Sequence, residues 1–451
     1  MNEKRALYRS LFSVVMPIAF QNLMAALVTA SDAFMLGFLD QDSLSASSLA
    51  GQVAFVFSLF YGAFVSGMTV LAAQYWGKKD KKTTGEALAI AMHFSLAVGL
   101  IFSAAAVLMP ELLMRIFTSD QKLIDAGSDY LRIVSPTYFL TGFSQVYFGI
   151  MKVCDRAKLS SLIGSLAVIL NIILNGCLIF GLWIIPEMGI TGAALATLIA
   201  KLFEAGFVIA AASKGKCIKL DIKQALRPRN RQLGRDYRKY MLPMLINLCG
   251  WGLGVTMYSV IMGHLGTDAT AANSIASIVR HMIASLCWGI ASGTGIIIGG
   301  MLGRGEFEKA KRSAGSLVRC SIYLGAASGL VILALTPLVT SVVKLDPQAK
   351  HYLRYMMFFA AYYIIGNSLN STVITGIFAA GGDTRFGMIC DIITLWAVVV
   401  PLGMVCAFVL KLPVLVVAAV LTLDEFVKLP AVYWNYKKYN WVKDITQPQS
   451  A

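Results

Sequence analysis

Twelve long apolar stretches, separated by short charged or Pro/Gly-rich breaks, constrain this 451-residue chain more than any other feature. They run approximately over 11–37, 45–75, 85–110, 128–151, 159–182, 189–213, 241–263, 270–301, 315–343, 352–379, 386–409 and 412–435. A helix needs roughly 20 mainly apolar residues to cross a hydrocarbon core. None of the stretches alternates with period two, which argues against a β-barrel. The expected class is therefore an all-α integral membrane protein with twelve transmembrane helices. With 57% hydrophobic and 14% charged residues, most of the chain cannot face water.

The formal net charge of +15 then has to be read by position. The cations gather in short connections on one side, as in membrane proteins with positive loops, and not on a nucleic-acid-binding face. One set of connections holds 28 Lys and Arg and the opposite set seven, which places both termini and the basic 214–239 loop in the cytoplasm. Ten cations in that loop suit topology and contact with anionic lipid. Lys4, Arg5 and Arg9 precede apolar sequence as in a signal peptide, but the run is too long and contains Pro17, Gln21 and Asn22. It reads as a retained first span. The eight cysteines are scattered singly and read as packed free thiols, and the four histidines show no ligand spacing.

The chain matches itself at an offset of 226. Pro17 meets Pro243, Gly37 meets Gly263, Asp42 meets Asp268, Ser66-Gly67 meets Ser292-Gly293 and Gly77-Lys78 meets Gly303-Arg304. Tyr-Leu-Arg at 130–132 recurs at 352–354, and Asp155 is matched to Asp383 after a small insertion. The predicted organisation is an N-terminal six-helix lobe (1–213), a cytoplasmic basic linker (214–240), a C-terminal six-helix lobe (241–436) and a cytoplasmic tail (437–451). Six is even, so both lobes start on the same side and form a parallel repeat. Transporters built this way bind substrate near the midplane and rock one half against the other.

Candidate chemistry lies at polar residues within the spans. Asp32 sits near the outer end of span one, where a carboxylate costs about 2.5–3.5 kcal/mol unless paired, hydrated or protonated. It is either an interfacial acid or part of a site, and its repeat partner is Tyr258, so only one lobe carries the charge. Asn171 and Asn175 are spaced i, i+4 and share one face of span five. That face looks either into a wet cavity or onto a neighbouring helix. Asp32 with two amide oxygens and a hydroxyl would suit a hard monovalent cation or a proton equally. Lys201 with Glu204, and Asp424 and Glu425 with Lys428, form i, i+3 groupings that read as structural pairs or as part of a proton route. Arg280 and His281 either line a cavity or pair structurally with Asp268 or a carbonyl. Gln21, Gln52, Gln145, Asn247, Trp251, Tyr258, Asn367 and Asn370 supply further polar and aromatic groups for a central cavity. Pro17 and Pro243 occupy equivalent places and are either static bends or hinges.

The segments MPIAFQNLMAALVTASDAFMLGFL, AAQYWGKKD, NIILNGCLIFGL with GITGAALAT, and GGDTR resemble the multidrug and toxic compound extrusion (MATE) family over nearly the whole length. The resemblance implies two six-helix lobes and export of organic compounds against an inward sodium or proton flow. It also implies a cation site at Asp32, Asn171, Asn175 and Thr197. The chain departs from some branches, with Asn175 where they have aspartate, and with Trp251 and Ser368 where another has acidic residues.

The expected function is secondary active efflux of amphipathic, often cationic compounds by antiport with Na+ or H+. The alternative is a lipid-linked oligosaccharide flippase of the same wider superfamily, which would want a cavity rich in Arg and Lys. An intramembrane enzyme would need paired carboxylates, a Ser/His dyad or a zinc motif near one depth, and GGDTR, superficially similar to a GxGD protease motif, lies in a cytoplasmic loop without a partner Asp in a span. The expected setting is the plasma (inner) membrane, as a multi-pass monomer with no cofactor beyond the coupling ion. No metal is expected beyond Na+ at Asp32, and the partners expected are small organic substrates and lipid.

Overall fold

The computed structural model describes residues 2–181, 186–213, 217–218, 230–343 and 345–447, and of residues 2–11, 30 and 33 the backbone alone. Most of the basic 214–240 linker, the side chains of Lys4, Arg5 and Arg9, and residues 448–451 lie outside that description. The described residues are almost wholly helical and contain no strand. In order they form α1 (Asn2–Leu39), α2 (Gln41–Gly77), α3 (Lys81–Leu108), the short α4 (Pro110–Arg115), α5 (Gln121–Val153), α6 (Ala157–Phe180) and α7 (Gly189–Ser213). The second series is α8 (Arg231–His264), α9 (Thr267–Gly303), α10 (Phe307–Val342), α11 (Pro347–Asn370), α12 (Thr384–Ile392), α13 (Val414–Leu421), α14 (Asp424–Val427) and α15 (Leu429–Lys437). Wider π-type turns carry α11 on to Phe378 and α12 on to Val409.

The 226-residue offset recurs in the elements themselves. Gln41 and Thr267, Lys81 and Phe307, and Gln121 and Pro347 each open a helix. The turns between them match as well, with Lys79 (φ 63°) answering Gly305 (φ 74°). One match needs correcting. The left-handed residue two places before the next helix is Asp155 (φ 60°) in the first half and Gly382 (φ 79°) in the second, so Asp155 corresponds to Gly382 and Arg156 to Asp383. In both, the residue after it closes the turn, with Arg156 N–H donating to Met151 O and Asp383 N–H to Phe378 O.

Nine helices among the described residues are long and apolar enough to cross a membrane. Of the remaining predicted spans, α5 carries Lys122, Asp125, Asp129 and Arg132 at its start, and α11 is rich in Tyr and Asn. The twelfth predicted span, 412–435, is helical in segments. It consists of three short helices, interrupted at Thr422-Leu423 and at Lys428, with Pro430 opening the last. Proline has no N–H to continue a helix, and Asn370 Nδ2 donates to the Glu425 carbonyl beside the break at 2.6 Å.

Contacts divide the chain into two units: Phe20–Ala72 with Lys79–Met241, and Met1–Ala19 with Ala73–Lys78 and Leu242–Ala451. The division falls inside α1 and α8, within a few residues of Pro17 and Pro243. The unit holding α3 to α7 has a core of Ala50, Val53, Phe57, Leu131, Val134, Tyr138 and Ala194. Helices α3 and α5 approach closely at Gly142, whose carbonyl accepts from Ser95 Oγ at 3.0 Å. The unit holding α9 to α15 repeats that crossing with the donor reversed, as Ser368 Oγ donates to Ser321 O at 2.8 Å. Small residues and hydroxyls at crossings are how helices associate in lipid, where there is no hydrophobic drive between them. Large apolar side chains such as Phe34, Ile101, Leu330 and Val409 instead face outward.

The C-terminal end of the second unit is docked. Gln74 Nε2 donates to Ala380 O and Lys443 O, while its Oε1 accepts from Ile445 N–H at 2.9 Å. Lys78 pairs with Asp444 at 2.9 Å, and Trp441 is fully buried.

Candidate functional site

In the first unit three helices bring four polar side chains together. Asn171 and Asn175 are both buried on α6, while Leu166, Ile169 and Ile173 on its other face are exposed. An i, i+4 pair on one helix face produces this division. The small residues of Gly-Ala-Ala-Leu-Ala-Thr let α7 lie against α6. A Cβ at Gly192 would come within 2.5 Å of Leu178 O, so only glycine permits that approach. The same packing puts Thr197 beside Asn171. On α1, Leu36 is buried against Ile179 and Ala193, while Phe34 and Phe38 point outward. That rotation turns Asp32 inward.

The contacts run as a chain. Asn175 Nδ2 donates to Asp32 Oδ1 at 2.5 Å and to Asn171 Oδ1 at 3.2 Å. Asn171 Nδ2 donates to Thr197 Oγ1 at 3.4 Å, and Thr197 donates in turn to Ala193 O at 3.0 Å. Asn175 Oδ1 is buried without a partner, so the cluster holds an oxygen with spare acceptor capacity. Asp32 itself is only partly buried. Tyr130 of α5 neighbours both Asp32 and Thr197, a member that sequence spacing did not single out. Its one signal was its place in the repeated Tyr-Leu-Arg. The arrangement can take up one positive charge, either as a proton on Asp32 or as a small cation facing the carboxylate, amide and hydroxyl oxygens.

The residues proposed for a substrate cavity are divided between the two units. Gln21 is buried against Gly164, Gln52 is exposed and Gln145 is half-buried. In the second unit, Tyr258 and Arg280 line one pocket together with Asn273, Ser277, Phe359 and Thr422. Arg280 lies over the Tyr363 ring at 5.1 Å and donates to Ser277. Trp251 meets His281 and Trp288 edge-on at 6.0 and 6.1 Å. Asn247 and Asn367 are instead bonded to carboxylates, donating to Asp391 and to Glu425 at 2.9 Å each.

Both i, i+3 pairs form: Lys201 with Glu204 and Lys428 with Glu425, each at 3.0 Å. Lys428 also pairs with Asp391 at 2.9 Å. Asp391 was not singled out from the sequence, although an acid within the 386–409 stretch was a legible signal.

Comparison with known proteins agrees with this architecture. The chain is 23% identical over 96% of its length to "Uncharacterized transporter YisQ" of Bacillus subtilis, covering 95% of that protein. It is 22% identical to "Probable multidrug resistance protein NorM" of Thermotoga maritima, over 88% of this chain and 85% of that one. Among solved structures, a MOP superfamily transporter from Pyrococcus furiosus matches with a TM-score of 0.87 at 16% identity, covering 96% of each chain. A multidrug resistance MATE family transporter in an outward-facing conformation matches with a TM-score of 0.85 at 17% identity, over 96% of this chain and 95% of that one. The MatE family pattern fits residues 17–176 and again 243–405, the second match beginning 226 residues after the first. That match in both halves, over more than half of the chain, makes this chain a member of the MatE family of membrane transporters.

Proposed function

We propose that this chain is a cation-coupled exporter of amphipathic, often cationic organic compounds. Asp32 exchanges a sodium ion or a proton during each cycle. The observation that carries this reading is the chain Asp32–Asn175–Asn171–Thr197, a partly accessible carboxylate bonded into amides and a hydroxyl amid apolar helices. A carboxylate in that setting is costly, about 2.5–3.5 kcal/mol on insertion scales, and occupancy by a cation or proton relieves the cost. Resemblance to proteins named for multidrug resistance supports the substrate class. The unit boundaries beside Pro17 and Pro243 support these prolines as the points where the helices bend. Excess Lys and Arg on one set of connections supports cytoplasmic termini.

The test is ethidium efflux from proteoliposomes under an imposed sodium or proton gradient, for wild type and Asp32→Asn. The expected result is efflux that follows one gradient and disappears in the variant. Wild-type efflux indifferent to both gradients would overturn antiport, and an active variant would overturn the role of Asp32.

A further inference from the structure

The second unit buries a charged cluster that the Asp32 site does not use. Asp391 on α12, Asp424 and Glu425 on α14, and Lys428 just beyond come together with Arg280 of α9. Two of the three carboxylates are satisfied. Asp391 accepts from Lys428 Nζ at 2.9 Å and from Asn247 Nδ2 at 2.9 Å. Glu425 accepts from Lys428 at 3.0 Å, Asn367 at 2.9 Å, Asn370 at 2.8 Å and Tyr363 at 3.4 Å. Asp424 is the exception, more than nine-tenths buried with its Oδ1 lacking any hydrogen-bond partner. The Oδ1 atoms of Asn367 and Asn370, both residues more than nine-tenths buried, are likewise unpartnered.

Charge counting then points to a ligand. Three carboxylates face two cations, Lys428 and Arg280, which leaves one uncompensated negative charge in a low-dielectric interior. Such a charge is retained only if something positive joins it. Around Asp424 stand Tyr258 from α8, Arg280 from α9, Tyr362 and Tyr363 from α11, Asp391 from α12, and Glu425 and Lys428 from its own segment. No group of three His, Cys, Asp or Glu side chains among the described residues converges as metal ligands would. Asp391 and Glu425 already spend their oxygens on Lys428 and amides, so a cation would find one free carboxylate oxygen, on Asp424, beside the amide oxygens of Asn367 and Asn370. A proton needs only one oxygen. A pocket lined by Tyr258, Arg280 and Thr422 lies beside the break before α14, two residues before Asp424.

We propose that the second unit carries its own proton-binding site, with Asp424 Oδ1 as the atom that takes the proton from the pocket side. Protonation forms the O–H bond on Asp424 and brings the cluster from one net negative charge to neutrality. Release returns the proton to the pocket. This reading goes beyond coupling at Asp32 and does not depend on it, since the two sites lie in different units.

The test is infrared difference spectroscopy on the full chain in lipid, between mildly acidic and mildly alkaline buffer, following the carbonyl stretch of protonated carboxyls. Wild type, Asp32→Asn, Asp424→Asn and the double variant are compared, each with and without sodium. The expected result is a band that Asp32→Asn retains, Asp424→Asn loses and sodium leaves unchanged. An Asp424→Asn spectrum identical to wild type overturns the proposal. A band abolished by sodium also overturns it, by making the site one for sodium. Should Asp424→Asn fail to fold, wild-type protein is treated with a hydrophobic carbodiimide in mildly acidic buffer and mapped by mass spectrometry. An adduct on Asp424 supports the proposal, and its absence overturns it.

Discussion

Replacing Lys428 by methionine tests the charge balance of the second unit directly. Lys428 Nζ lies 2.9 Å from Asp391 and 3.0 Å from Glu425, and its side chain is only 10% exposed. Methionine keeps much of the volume and removes the charge, so the change leaves buried Glu425 and half-buried Asp391 without their common partner. Removing one member of a buried pair costs about 3–5 kcal/mol, because the remaining charge stays desolvated. The amide bonds from Asn247, Asn367 and Asn370 persist and keep the loss within that range. For a unit of this size it corresponds to a drop in melting temperature of roughly 10 °C. The assay is thermal unfolding followed with a thiol-reactive fluorophore, because Cys287, Cys390 and Cys406 are buried in the same unit and react only once it opens. Lys428→Met with Asp391→Asn should recover part of the loss, since one stranded charge is then removed. Lys311→Met, whose partner Glu308 is on the surface, should leave the midpoint where it was. An unchanged midpoint in Lys428→Met would refute the reasoning, because Asp391 and Glu425 would then be solvated rather than held by the lysine.

Three further outcomes follow from contacts already described. A Cβ at Gly381 would meet Trp441 O at 1.6 Å, so Gly381→Ala should expel the docked segment and speed tryptic cleavage at Lys443 at least tenfold, equivalent to about 1.4 kcal/mol; unchanged cleavage kinetics would contradict the docking. Burial opposes ionisation of Asp444, but hydrogen bonds from Thr446 and Lys78 outweigh it and hold the carboxyl below its ordinary value of 3.8. Docking therefore gains stability above that value and loses it as pH falls through the lower folded value, which amide hydrogen exchange of residues 441–446 should show, with Asp444→Asn abolishing the dependence. Asn175→Ala removes the donor to Asp32, worth about 1.5–3 kcal/mol for a charged acceptor, and so shifts the half-saturating concentration of the coupling cation by about tenfold. The shift should be towards tighter binding for a proton, whose site loses a competitor, and towards weaker binding for sodium, whose site loses an amide ligand; no shift would remove Asn175 from the site.

Most of the architecture was legible along the chain. Hydrocarbon length demands a long apolar run for each span, and backbone hydrogen bonds in lipid must close within a helix, so composition over about 20 residues decides where helices lie. The 226-residue repeat was equally local, since it needs only the chain laid against itself, and helix starts such as Gln41 and Thr267 keep that spacing. Asn171 and Asn175 were readable as one face because helical period alone places them there. What spacing could not supply was which faces meet. Tyr130 joins Asp32 because α5 and α1 are rotated towards each other, and Asp391 joins Lys428 across 37 residues and a change of helix. The break in the last span and the docking of Trp441 against Gly381 likewise depend on what each segment packs against. Hydropathy is a property of a segment and survives in the sequence. Charge pairing and close approach are properties of two surfaces, and only the folded chain brings those surfaces together.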